Sequence, residues 1–201
     1  CAFLPSESEP EALAPADPLT GHPLEWPGQR PVAVTIENST ASATQWGISS
    51  ASVVLEALTE AGMATELCLV YPALAATPKV GPVAAGQDIY WRLLVGQQPL
   101  PVQRGGGQFD QNYLDYYSIR AVDALEAGRT AFDCGSEWSN APLWYTSGSA
   151  VSKVLDALSI SAVLTESRVT SAASAAATSA SSGSDAVLTV PALLPRSEER
   201  R

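Results

Sequence analysis

The stretch Pro31–Glu37, PVAVTIE, decides how this chain folds. Its apolar residues alternate and several are branched at Cβ, which predicts a strand. Next along the chain, Ser52–Leu58 (SVVLEAL) and Thr65–Tyr71 (TELCLVY) flank TEAGMA, where Gly62 can take the positive φ of a turn. Two strands of a hairpin fit this pattern, with a short helix over SVVLEALTEAG as the alternative. Gly81–Pro82 then opens VAAGQDIYWRLLVG, with Ile89, Leu93 and Leu94 at helical spacing and Gly96 as a stop. Pro99–Gln103 predicts another strand, closed by Gly105–Gly107, and Tyr113–Ala127 a partly helical segment. Ser147–Ile160 predicts a helix capped by Ser147 or Ser149, because Val151, Val154, Leu155 and Leu158 recur at i, i+3, i+4 and i+7. Strands interleaved with helices at these spacings predict an α+β fold, a mixed β-sheet with helices packed against it.

The 201 residues are 46% hydrophobic and 16% charged, enough to fold one domain with a real core. The formal charge of −10 excludes a general electrostatic grip on nucleic acid, which needs basic patches to displace phosphate counterions. Charge is uneven: residues 1–78 hold nine acids and one base, Arg30, whereas residues 79–201 hold twelve acids and ten bases. No apolar run approaches the roughly 18 residues of a membrane-spanning helix. His22 is the single histidine, so a histidine-rich metal centre is not expected, nor is any cofactor.

The flanks differ in character from the body, expected over 18–165. Residues 1–17, CAFLPSESEPEALAPAD, are acidic, carry three prolines and lack any base, which predicts a disordered, solvated tether. A cysteine leading such a tether predicts lipidation at Cys1, which anchors a protein to a membrane without a spanning helix. Residues 166–201 read as a low-complexity linker and tail, since SAASAAATSASSGS offers no large side chain to bury. The apolar run in VLTVPALLP that follows can add a peripheral strand or stay disordered. With Cys1 taken by lipid, Cys68 and Cys134 are an even pair in an oxidising compartment. A disulfide between them would close a loop of about 66 residues, worth about 4 kcal/mol in the chain-entropy model. Two buried thiols are the alternative.

Chemical motifs are sparse. Arg104, Gly105, Gly106 and Gly107 form a loop whose backbone N–H groups could cradle a ligand, but it lacks the Lys-Ser/Thr ending of a phosphate loop. Asp110 and Asp115 near that loop are the carboxylates a hydrolase could use. Cys134-Gly-Ser-Glu-Trp138 superficially matches a thiol-protease stretch, yet no histidine follows to act as base. Among the aromatic pairs, Trp144 and Tyr145 are the candidates for a cleft, where exposed rings would stack on sugars or anchor a protein.

An ordered series of short motifs carries a resemblance. Asp17-Pro-Leu-Thr-Gly21, Arg30-Pro-Val-Ala-Val34, Gly47-Ile-Ser49, Ala51-Ser-Val-Val54 and Glu60-Ala-Gly62 come first. Lys79-Val-Gly-Pro-Val83, Ala141-Pro142 and Tyr145-Thr-Ser147 continue it. Over roughly 17–160 the chain resembles the YerB-like family of bacterial lipoproteins. The resemblance implies an extracytoplasmic, lipid-anchored domain without an assigned biochemical role. The family pattern has arginines where Thr65, Ala84 and Gln87 stand, and histidines where Gln103 and Leu143 stand. Arginines and histidines drawn together there would suit an anion; these neutral residues would bind one poorly.

The expected function is therefore non-catalytic binding at the cell envelope, on the extracytoplasmic face of the membrane, held by lipid on Cys1. The expected ligand is a small molecule, glycan or protein, with no nucleic acid. A cell-envelope hydrolase working near the 104–110 loop, or a degenerate structural paralogue, are the alternatives.

Overall fold

The computed structural model describes residues 15–38, 45–59, 62, 64–133 and 143–164. Its centre is a five-stranded mixed sheet in the order β2-β3-β1-β4-β5. Strand β1 (Val32–Asn38) is the middle strand, antiparallel to β3 (Thr65–Tyr71) and parallel to β4 (Leu100–Gln103). The hairpin alternative is the one observed: β2 (Val53–Leu58) pairs antiparallel with β3, and Gly62 takes φ +68° between them. Strand β5 (Val122–Asp123) lies parallel to β4 at the other edge.

Position in the sheet explains the strand sequences. The central strand is covered on both faces, so Val32 through Ile36 are all buried, the pattern of a strand with no solvent side. At the edge, β2 alternates half-buried and exposed positions instead. One face of the sheet packs Val34, Ile36, Leu69, Tyr71 and Val102 against Phe132, Trp144 and Val151. The other face packs Ala33, Cys68 and Val70 against Tyr90, Trp91, Leu94 and Tyr113.

Helix α1 (Asp88–Leu94) and helix α2 (Gln108–Tyr116) cover that second face. Here the helical phase differs from the expected one. Tyr90, Trp91 and Leu94 are buried, while Ile89 and Leu93 face solvent. Two aromatic rings bury more area than Ile and Leu, so they set which face turns inward. The helix ends at Leu94, a 3-10 turn covers Val95–Gln97, and Gln98 rather than Gly96 takes the left-handed stop conformation.

The expected helix over 147–160 is mostly a run of turns. Only α4 (Gly148–Val151) is α-helical, and Ser147 caps it by accepting the Ala150 N–H at 3.3 Å. Beyond it, Lys153 and Val154 bond three residues back rather than four. The apolar positions still serve: Val151, Val154 and Leu155 are buried. The expected partly helical 113–127 stretch resolves into the end of α2, β5 and α3 (Ala124–Ala127).

Candidate functional site

The parallel strands β1 and β4 run towards the glycine loop, and the loop's role there is internal bracing. Gln103, the last residue of β4, is buried. Its side-chain amide donates to Asp110 at 3.0 Å and to Asp123 at 3.4 Å. Asp110 is wholly buried and also accepts the indole N–H of Trp91 at 2.5 Å. Burial pushes the Asp110 carboxyl above the usual carboxylate range, the two hydrogen bonds pull it back, and the charges of Asp123 and Asp88 add to the rise. Asp123 accepts the N–H of Gly105 at 2.9 Å and that of Leu125 at 2.8 Å, so it closes the loop and caps α3. Gly106 has no room for a side chain, because a Cβ there would overlap the Asp110 carboxylate. Gly107 begins α2 without a side-chain cap.

Asp110 points into the fold and Asp115 is exposed on α2, so the two carboxylates do not converge on one cleft. The neutral positions are spread along the end of the sheet: Ala84 bonds to Thr35, Gln103 follows Val102, the partner of Val34, and Thr65 stands opposite Asn38 further along β1. Gln87 donates to Glu66 at 2.5 Å, Ala84 accepts the Thr35 hydroxyl at 2.9 Å, and Thr65 accepts from Asn38 at 2.8 Å. Amide–carboxylate hydrogen bonds serve Gln87 and Gln103, and bonds to neutral oxygens serve Ala84 and Thr65.

The two cleft aromatics part company. Trp144 is 4% exposed and packs edge-on against Phe132 at 6.3 Å between ring centroids. It is a core residue, not a cleft residue, because alternation along 144–146 sends Trp144 and Thr146 inward and Tyr145 outward. Tyr145 is half-buried, and Trp46, with which it shares a cation, is 47% exposed. The Lys79 ammonium lies 4.7 Å from the Trp46 ring centroid and 4.9 Å from that of Tyr145. Short bridges bring the three together: Trp46 pairs with Gly81, and Val80 with Thr146. Burial, then the charge of Glu37, raise the Tyr145 phenol above its ordinary pKa. Arg104 reaches the same Glu37 at 3.8 Å, so it borders this aromatic face rather than the floor of the loop. Trp46 and Glu37 belong to no motif, Lys79 opens Lys79-Val-Gly-Pro-Val83 with nothing there to mark its partners, and the three lie far apart in sequence, so only folding assembles them.

Cys68 is a fully buried free thiol, and burial raises its pKa, so it is an inert core residue. Cys134 and Cys1 lie outside the described residues, and so do most of the expected tether and the tail from 165 onward. No helix among the described residues is long and apolar enough to cross a membrane.

Two concavities lie at the opposite end of the sheet, where β1 and β4 begin. The larger, about 410 Å3, lies against Arg30, Pro99, Ile119 and Ile160. The smaller, about 370 Å3, lies between His22, Trp26 and Pro72.

Comparison with known proteins gives a family but no activity. The crystal structure of YerB protein from Bacillus subtilis matches with a TM-score of 0.63 and 26% sequence identity, over 74% of this chain. The chain spans about half, 51%, of that protein's length. Curated proteins offer no match. The family model described as protein of unknown function (DUF3048), N-terminal domain, matches residues 19–161. With both faces of the sheet and most of the assembled residues inside that match, the chain belongs to the DUF3048 N-terminal domain family.

Proposed function

We propose that this domain is held on the extracytoplasmic face of the membrane by lipid on Cys1 and binds an envelope component without catalysis. The observation that carries the binding role is the exposed face built by Trp46, Lys79 and Tyr145, bordered by Glu37 and Arg104. An exposed indole and a half-buried phenol ring sharing one cation suit stacking on a sugar ring and hydrogen bonding to its substituents. The carboxylates nearest the loop are already spent on Trp91, Gln103 and Gly105 inside the fold, which favours binding over hydrolysis. The anchoring part is supported by the acidic, proline-rich stretch after Cys1 and by the resemblance to YerB-like lipoproteins.

Two measurements test this reading. Intact-mass spectrometry of protein from the membrane fraction of its own host should show diacylglyceryl and acyl mass on Cys1, and Cys1→Ser should release the protein from that fraction. The domain should co-sediment with purified envelope polysaccharide, and the double variant Trp46→Ala, Tyr145→Ala should lose at least tenfold in affinity. A bare thiol on the native protein would end the anchoring part. Unchanged co-sedimentation of the double variant would end the binding part.

A further inference from the structure

The larger concavity has an unusual wall for so acidic a chain. The protein carries 21 acids against 11 lysines and arginines, yet among the described residues this groove is lined by Arg30 and Arg120 and by no acidic residue. Beside the arginines its wall mixes apolar residues, among them Pro99, Pro101, Ile119 and Ile160, with Ser118 and Ser159. Its volume of about 410 Å3 lies within the range of small-molecule sites, about 300–1,000 Å3.

The backbone around the groove is strained in one consistent way. Among the described residues, three that are not glycine have left-handed backbone: Gln98 (φ 49°), Ser118 (φ 52°) and Ser159 (φ 55°). All three line this groove. Each ends a helical segment, the place where glycine normally stands because it has no Cβ to crowd the backbone. Ser118 follows α2, and the next N–H, of Ile119, closes back onto Leu114. Ser159 ends the turns after α4, and Ile160 closes back onto Leu155. Keeping a side chain at all three positions costs conformational energy, and such costs gather where side chains serve a ligand.

The arginines divide the work. Arg30 donates from Nε, Nη1 and Nη2 to the carbonyls of Gln98, Ser161 and Pro99, and so holds the groove's floor together. Arg120 is exposed and pairs with Glu126 at 3.5 Å across solvent, an ion pair weak enough to exchange for a ligand anion. Its planar fork matches a carboxylate or phosphate.

We propose that this groove binds a small amphipathic anion, its carboxylate or phosphate on Arg120 beside the Ser118 and Ser159 hydroxyls and its apolar chain along Pro99, Pro101 and Ile160. This site is separate from the aromatic face and stands or falls without it. The test titrates the full chain with octanoate, with octyl phosphate and with uncharged octanol, by calorimetry and by amide chemical shifts. At least one anion should bind saturably and at least tenfold more tightly than octanol, with shifts centred on Ile119, Arg120 and Ser159–Ser161. Which anion binds more tightly identifies the head group. Arg120→Ala should weaken that binding at least tenfold, whereas Lys153→Ala, an exposed cation outside the groove, should leave it unchanged. The double variant Ser118→Gly, Ser159→Gly keeps the left-handed turns and should weaken binding severalfold. The proposal is overturned if neither anion binds, if octanol binds equally well, or if Arg120→Ala and the double glycine variant both bind like wild type.

Discussion

At the scale of single residues, Asp110 is held on every side that its hydrogen bonds and burial define. It has no exposed surface, two donors hold its oxygens, and Gly106 yields the space its carboxylate needs. Burial is the largest influence on its ionisation and raises its folded pKa above the unfolded value, about 3.9. The neutral carboxyl is therefore favoured by folding. That contribution is complete below the unfolded pKa and is lost as pH rises through the folded one. Asp110→Asn removes the titration while keeping the shape. Its stability deficit against wild type, measured by urea unfolding at pH 4 and pH 7, should be larger at pH 4 and shrink at pH 7. A deficit that grows with pH would show that the ionised form is the one the fold prefers. None of this was legible in the sequence: Trp91 and Asp110 are 19 positions apart on different helices, and the second donor to Asp110, Gln103, ends a strand. The glycine run was legible as a turn, but its reason lies in what Gly106 stands against.

At the scale of elements, the strands were read more accurately than the helices, and α1 shows why. A strand's alternation has two phases, and burial on either face is tolerated in a central strand such as β1. A helix with apolar residues on several sides has more phases to choose from. In DIYWRLL, Ile89 and Leu93 share a face by spacing, but so do Tyr90, Trp91 and Leu94, and the larger rings decide. The Tyr90 hydroxyl fixes this phase by donating to the carbonyl of Glu66 on β3 at 2.5 Å. Two adjacent leucines therefore give opposite expectations. Leu94→Ala should destabilise the protein by about 2–5 kcal/mol through the cavity it leaves. Leu93→Ala, at a position 63% exposed, should stay within about 0.5 kcal/mol of wild type. Urea unfolding of the pair checks the phase directly, and a cost at Leu93 equal to that at Leu94 would put the helix in the phase its spacing first suggested. The 147–160 segment errs for a related reason. Its apolar spacing satisfies tight i→i+3 turns about as well as an α-helix, and Ser152 and Ser159 offer little preference for the latter.

At the scale of the whole molecule, the sheet separates two chemistries. One end carries amides and carboxylates bonded to one another and an aromatic–cation face beside them. The other end gathers the beginnings of β1 and β4 and the last described residues into the arginine-lined groove. What joins that second end is Arg30, just ahead of the strand that decides the fold. Its guanidinium bonds carbonyls 68, 69 and 131 positions away, and its own N–H donates to Ala162 at 2.8 Å. Beside it, Leu164 donates to Gly28 and Val163 bridges Gln29, so the approach to β1 and the last described residues are tied at one place. Half-burial lowers the Arg30 pKa by desolvation, but an arginine stays charged throughout the range in which proteins fold. Three charge-assisted bonds from one planar group depend on its fork geometry and not on its charge alone. Arg30→Lys keeps the charge and can reach one carbonyl, leaving two acceptors without a donor. It should cost about 2–3 kcal/mol in urea unfolding and speed amide exchange at Leu100, whose N–H bonds to Pro31, and at Leu164. Exchange in β2, on the far edge of the sheet, should change only with global stability. A variant as stable as wild type, with Leu100 and Leu164 equally protected, would mean that the strands and the Val163 bridge hold this end closed without the guanidinium.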